Sequence, residues 1–130
     1  NVWVNVEKLD LDSVLKSSDI VSLHIPLNEQ TKYLINGTKL ELMQSSGILI
    51  NAARGGVVDE NALVEALTKG ELAGAAIDVF ESEPLGDTNA SKFKNIDNLL
   101  ITPHIAGLTS ESNTRVSFLT AQTVAECIAK

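Results

Sequence analysis

Gly47-Ile48-Leu49-Ile50-Asn51-Ala52-Ala53-Arg54-Gly55-Gly56 decides the fold of this chain. The run from Gly47 to Asn51 is apolar without alternation, as in a strand buried in a parallel sheet. The turn after it carries a cation, Arg54, and two glycines that permit a sharp entry into the next helix. Two further stretches repeat the plan. The strand candidate Ala73–Val79 leads into Asp78-Val79-Phe80-Glu81-Ser82-Glu83-Pro84, and Asn98–Thr102, closed by Pro103, leads into His104-Ile105-Ala106-Gly107. Loops at the carboxyl ends of parallel strands lie side by side, and ligands bind there. Arg54, Glu83 and His104 are therefore expected to meet. A cation, a carboxylate and an imidazole in one crevice suit acid–base chemistry on an anion.

The rest of the chain alternates strand and helix signals. A short strand is expected over Val2–Val6, a helix over Leu11–Ser17, and a strand over Asp19–Ile25 that Pro26 stops. Thr38-Lys39-Leu40-Glu41 reads as a capping box opening a short helix. Asp59 is placed to cap a helix with Leu63, Val64, Ala66 and Leu67 on one face, and Gly70 to end it. A last helix is expected over Ser110–Ile128, with Val116, Leu119, Val124, Cys127 and Ile128 as its apolar side. Glu81–Asn98 reads as a long loop. About five parallel strands, covered by helices on both faces, make an α/β domain. Trp3, Tyr33 and Cys127 read as packing residues, and the scattered acids as a solvated surface.

The composition excludes several classes. Of 130 residues, 44% are hydrophobic and 21% charged, as in an ordinary globular domain. The net charge of −7, with no basic run, argues against a nucleic-acid partner. No apolar stretch nears the ~20 residues of a membrane helix, and the first residues lack the plan of a signal peptide. The single cysteine, Cys127, allows no internal disulfide and fits a cytoplasmic protein. His24, His104 and Cys127 show no metal-ligand spacing, so no metal is expected.

The three motifs, in this order, resemble the D-isomer-specific 2-hydroxyacid dehydrogenases. His24-Ile25-Pro26-Leu27 with Thr31, and Asp59-Glu60 after the paired glycines, match as well, and the resemblance runs from about Asp19 to Ile128. Thr102–Ser117, with Thr109-Ser110-Glu111-Ser112-Asn113 and Arg115-Val116-Ser117, is similar to the corresponding stretch of phosphoglycerate and sulfolactate dehydrogenases. The resemblance implies a Rossmann-like parallel sheet with flanking helices, NAD as cofactor and a small 2-hydroxy or 2-keto acid as substrate. It also implies a cytoplasmic homodimer when full length. The family's Gly-x-Gly-x-x-Gly loop does not occur in the sequence, nor does its ribose-binding acid, so NAD and NADP are not distinguished. Residues 1–130 are therefore expected to form one incomplete dinucleotide-binding domain. The N-terminal βαβ unit and the substrate domain would be absent, and the piece alone inactive.

The same resemblance assigns roles. Arg54 holds the substrate carboxylate, for which its planar guanidinium is suited; the plain alternative is a surface arginine in a local salt bridge. His104 is the acid–base residue, and Glu83 hydrogen-bonds its ring and fixes the tautomer; a solvated loop carboxylate is the alternative for Glu83. Asp78 accepts from the nicotinamide carboxamide, or is a loop aspartate. Ala52, Ala53, Arg54, His104, Ile105, Ala106 and Gly107 lie along the cofactor, and His24 and Pro26 wall its adenosine end. Tight packing explains the small residues equally well, and a structural histidine explains His24. A rival function, a dinucleotide-sensing corepressor-like protein on the same scaffold, keeps the same triad.

Overall fold

The computed structural model describes residues 6–129. Most of the expected Val2–Val6 strand, and Trp3, lie outside them; Val6 is exposed and in no strand. Four parallel strands follow: β1 (Ile20–Leu23), β2 (Ile48–Asn51), β3 (Gly74–Ile77) and β4 (Leu99–Ile101). They stand in chain order, β1-β2-β3-β4. Leu23 pairs with Asn51, Asn51 with Ile77, and Ile77 with Ile101. All four strands therefore end level. The residues that follow, His24, Ala52, Asp78 and Thr102, open one common edge.

Helices α1 (Leu11–Ser17), α2 (Gly37–Leu40) and α3 (Glu60–Lys69) pack together. Asp59 caps α3 by accepting from the amides of Asn61 and Ala62, and Gly70 ends it in the left-handed region at φ 70°. For α2 the cap is Asn36, one residue before the helix, and not Thr38. Asn36 is extended and its side chain accepts from the Lys39 amide, while the Thr38 hydroxyl donates to Asn36 Oδ1. The expected loop 81–98 contains a short helix, α4 (Asp87–Ala90), and a 3₁₀ turn, Ser91–Phe93. Phe93 anchors it, its ring centroid 5.8 Å from that of Phe80.

The core is Leu15, Ile35, Leu40, Leu49, Val57, Leu63, Leu67, Leu72 and Ile77, with Phe80 and Phe93 at its rim. Truncating Leu49 or Leu63, which are fully buried, to alanine should cost about 2–5 kcal/mol. One face of the sheet, with Val21, Leu23, Leu49, Ala75 and Ile77, is buried. The other is not covered as expected: Ile20 and Leu100 are 59% and 63% exposed. The final helix, α5 (Ser110–Ile128), buries none of its residues, so the expected apolar side has no packed partner among the described residues. Cys127 is likewise exposed, and Tyr33 is partly so, its hydroxyl 3.2 Å from Glu81 Oε2. These two are not packing residues.

Candidate active site at the carboxyl edge of the sheet

Arg54, Asp78 and His104 line one open cavity of about 670 Å³. The level strand ends bring them there, because each sits one to three residues beyond a strand or its closing Pro103. Ala52 and Gly107 complete the sheet side, and Ser112, Asn113 and Ser117 from the first turns of α5 face them. Asn51, buried at the end of β2, shapes the Arg54 turn: its side chain accepts from the Ala53 amide and donates to the Arg54 carbonyl. Arg54 Nη1 donates to the Ala53 carbonyl at 2.6 Å. The guanidinium is exposed and keeps further N–H groups for a ligand.

His104 stands between this cavity and a second of about 420 Å³ lined by Phe80, Glu83, Pro84, Leu85, Ile101 and Pro103. Its backbone is left-handed, φ 54°, which costs about 1–3 kcal/mol where it is not glycine. Its Nδ1 lies 2.6 Å from Glu83 Oε2. The Phe80 amide donates to Glu83 Oε1 at 2.8 Å. That amide first, then the His104 ring, hold the Glu83 carboxyl below its ordinary 4.5. An ionised carboxylate only accepts, so Nδ1 carries the proton and Nε2 of the neutral ring is the acceptor. Nε2 makes no hydrogen bond to any described residue.

Asp78 is buried. Oδ1 accepts from the Thr102 hydroxyl at 2.5 Å and the Ile105 amide at 2.9 Å; Oδ2 accepts from the Ala106 amide at 2.9 Å. Burial alone would raise its pKa. The donors Thr102, Ala106 and Ile105, with the His104 charge, outweigh burial and hold it below 3.8. Asp78 thus ties the loop that carries His104 to the end of β3. A carboxylate offers about four acceptor positions, so one on Oδ2 remains for a ligand.

Other expected site residues are placed differently. Ala106 lines a small recess with Asn51, Ala52 and Asp78. Ala53 is buried beneath the Arg54 turn. His24 and Pro26 lie beyond β1, two strands from Asp78, and line neither cavity; His24 Nε2 is 2.9 Å from the Ser22 hydroxyl. Thr102, Ser112 and Asn113 were not singled out by sequence as site residues. Their only signal was membership of the Thr102–Ser117 stretch that resembles phosphoglycerate and sulfolactate dehydrogenases. Among the described residues no group of acids, histidines and cysteines is set to hold a metal, and no helix is long and apolar enough to cross a membrane.

A level parallel edge, a bonded imidazole–carboxylate pair and a guanidinium on the same cavity define an α/β domain of the kind that takes its ligands at the carboxyl ends of its strands. Residues 3–106 match the family described as D-isomer specific 2-hydroxyacid dehydrogenase, NAD binding domain, and the chain belongs to that family. It is 48% identical over 123 residues to the (S)-sulfolactate dehydrogenase of Chromohalobacter salexigens, covering 94% of this chain and 39% of that protein. It is 50% identical over 119 residues to a glyoxylate reductase of Thermofilum pendens, covering 91% and 34%. Among solved structures, D-lactate dehydrogenase from Aquifex aeolicus, complexed with NAD and lactic acid, matches at TM-score 0.82 and 36% identity, covering 93% of this chain and 40% of that one. The chain thus spans about two fifths or less of these relatives' length.

The cofactor of the family is NAD, and the donor set can be compared with it. The cavity floor of Ala52 and Gly107, the free acceptor position on Asp78 and the exposed Nε2 of His104 fit the nicotinamide end. The sequence holds no Gly-x-Gly-x-x-Gly stretch, so these residues supply no such cradle for the pyrophosphate.

Proposed function

We propose that the protein is an NAD-dependent oxidoreductase that interconverts a 2-hydroxy acid and its 2-keto acid. The observation that carries this reading is the His104–Glu83 pair, 2.6 Å apart, on the rim of a cavity that Arg54 also lines. NAD supplies the hydride acceptor or donor when bound. Arg54 holds the substrate carboxylate with the N–H groups that Ala53 leaves free. In oxidation His104 Nε2 takes the hydroxyl proton; in reduction it returns one to the carbonyl oxygen. Glu83 keeps Nδ1 protonated and the ring turned, so that Nε2 is the acceptor. Asp78 and Ala52, with Ala53, Ala106 and Gly107, border the nicotinamide, and His24 and Pro26 border the adenosine end. The small residues Ala52, Ala106 and Gly107 at the level strand ends support the nicotinamide placement; His24 and Pro26 are placed by their position at the end of β1 alone.

We read the partner as a small 2-hydroxy or 2-keto acid, the assembly as a homodimer of the longer protein and the compartment as the cytoplasm. The single cysteine is what supports the compartment. Substrates of the relatives, glyoxylate and sulfolactate among them by name, are the first to assay. The test is consumption of reduced NAD by the full-length protein with a panel of 2-keto acids, with the hydroxy acid isolated. Dinucleotide binding without turnover of any of them would replace this reading with a dinucleotide-sensing interaction protein.

A further inference from the structure

Glu60 is a buried carboxylate to which the reaction assigns no task. It is 4% exposed and opens α3. The helix does not need it as a cap, since Asp59 already takes the Asn61 and Ala62 amides. Glu60 turns toward the loop after β3 instead. Its Oε1 accepts from the Glu81 amide at 2.6 Å, and its Oε2 pairs with Lys92 Nζ at 2.5 Å. Glu81 answers: its Oε1 accepts from the Glu60 amide at 3.2 Å, while its Oε2 takes the Tyr33 hydroxyl.

This reciprocal clamp grips the backbone two residues before Glu83. The amide of Phe80, the residue preceding Glu81, is the one that holds Glu83 Oε1. A continuous series of bonds therefore runs from Glu60 through Glu81 and Phe80 to Glu83 and His104 Nδ1. The Arg54 turn leans on the same backbone, because a Cβ on Gly55 would lie 1.8 Å from the Phe80 carbonyl oxygen. A charged acceptor suits the task. Hydrogen bonds to a carboxylate are about twice as strong as neutral ones, and an apolar residue of equal volume would leave the Glu81 amide unbonded.

We propose that Glu60 is a positioning residue: its carboxylate, held by Lys92, fixes the Phe80–Glu83 backbone and so sets Glu83 against His104. The kinetic consequence rests on the dehydrogenase reading; the geometric one does not. The experiment compares Glu60→Ala, Glu60→Gln and an exposed control on the same helix, Glu65→Ala, in the full-length protein below the melting temperature of each. Glutamine keeps an oxygen for the Glu81 amide.

Two readouts are taken. One is the proton NMR signal of the His104 Nδ1–H, assigned by its absence from His104→Ala. The other is kcat against KM. Glu60→Ala should lose the slowly exchanging Nδ1–H signal and at least about tenfold in kcat, by displacing the acid–base pair, with KM for NAD unchanged. Glu60→Gln keeps the acceptor for the Glu81 amide but loses the Lys92 pair, so it should fall between Glu60→Ala and the parent in both readouts, and Glu65→Ala should match the parent. An undisturbed Nδ1–H signal in folded Glu60→Ala would overturn the proposal even in a protein with no measurable turnover. Absent turnover in the parent, alongside a signal lost in Glu60→Ala and partly regained in Glu60→Gln, would overturn the dehydrogenase reading and leave the clamp standing.

Discussion

Replacing Gly55 with alanine adds one methyl group at the point where the Arg54 turn meets the Glu83 loop. An ideal Cβ there lies 1.8 Å from the Phe80 carbonyl oxygen, 2.1 Å from its carbon and 2.8 Å from the Glu81 nitrogen. Real Cβ contacts do not fall below 3.0 Å, so the two loops must part by about 1.2 Å. All three neighbours are backbone atoms, and no side chain can swing aside. Phe80 and Glu81 are also tied down, by Glu83 and Glu60, so the movement is resisted from both directions. Overpacking of this kind costs about 1–3 kcal/mol. A misplacement of about 1 Å at an acid–base site costs about 10²-fold in rate. Gly55→Ala should thus lower kcat/KM for the keto acid by about 10²-fold, far beyond what its stability loss explains in a protein that remains folded. Thermal melting and steady-state kinetics on the full-length protein measure both. Parental stability together with parental kcat/KM would show that the loops are not in the close contact described.

His104→Ala should lower turnover about 10²–10⁴-fold in both directions, with NAD affinity from titration calorimetry little changed. Arg54→Lys keeps the charge but loses the planar fork, so KM for the keto acid should rise and kcat fall while NAD binding holds; unchanged keto-acid kinetics would remove Arg54 as the anchor. Asp78 has a depressed pKa, so it contributes stability that is complete above its unfolded value of 3.8 and is lost as pH falls from there through the folded value. Acid-unfolding curves of Asp78→Asn should therefore lie below the parent near neutral pH and converge with it in strong acid; parallel curves would contradict the assignment.

Much of the site was legible in the sequence because parallel strands that end level convert three distant motifs into one edge. Gly47–Asn51 carried that signal most clearly, and Asp59 and Gly70 marked the ends of α3 through local chemistry alone. What depends on distant partners was not legible. Glu60 looks like any first-turn acid, and its burial depends on Glu81 and Lys92, 21 and 32 residues away. Asp78 was read as facing a ligand, yet most of its acceptor capacity goes to Thr102, Ile105 and Ala106. The apolar stripe on α5 has a helical period, but a period does not state what covers it. Ile20 and Ile48 raise the same difficulty: unbroken apolar strands suggested two covered faces, and the described residues cover one.

If the proposed chemistry holds, the imidazole bonded to Glu83 moves the substrate proton beside bound NAD. The most direct measurement is the rate of 2-keto acid reduction by reduced NAD, followed in the full-length protein and in His104→Ala at matched, saturating cofactor. The parent should form the 2-hydroxy acid, and the variant should lose at least about 10²-fold in rate. Equal rates in the two proteins would contradict it.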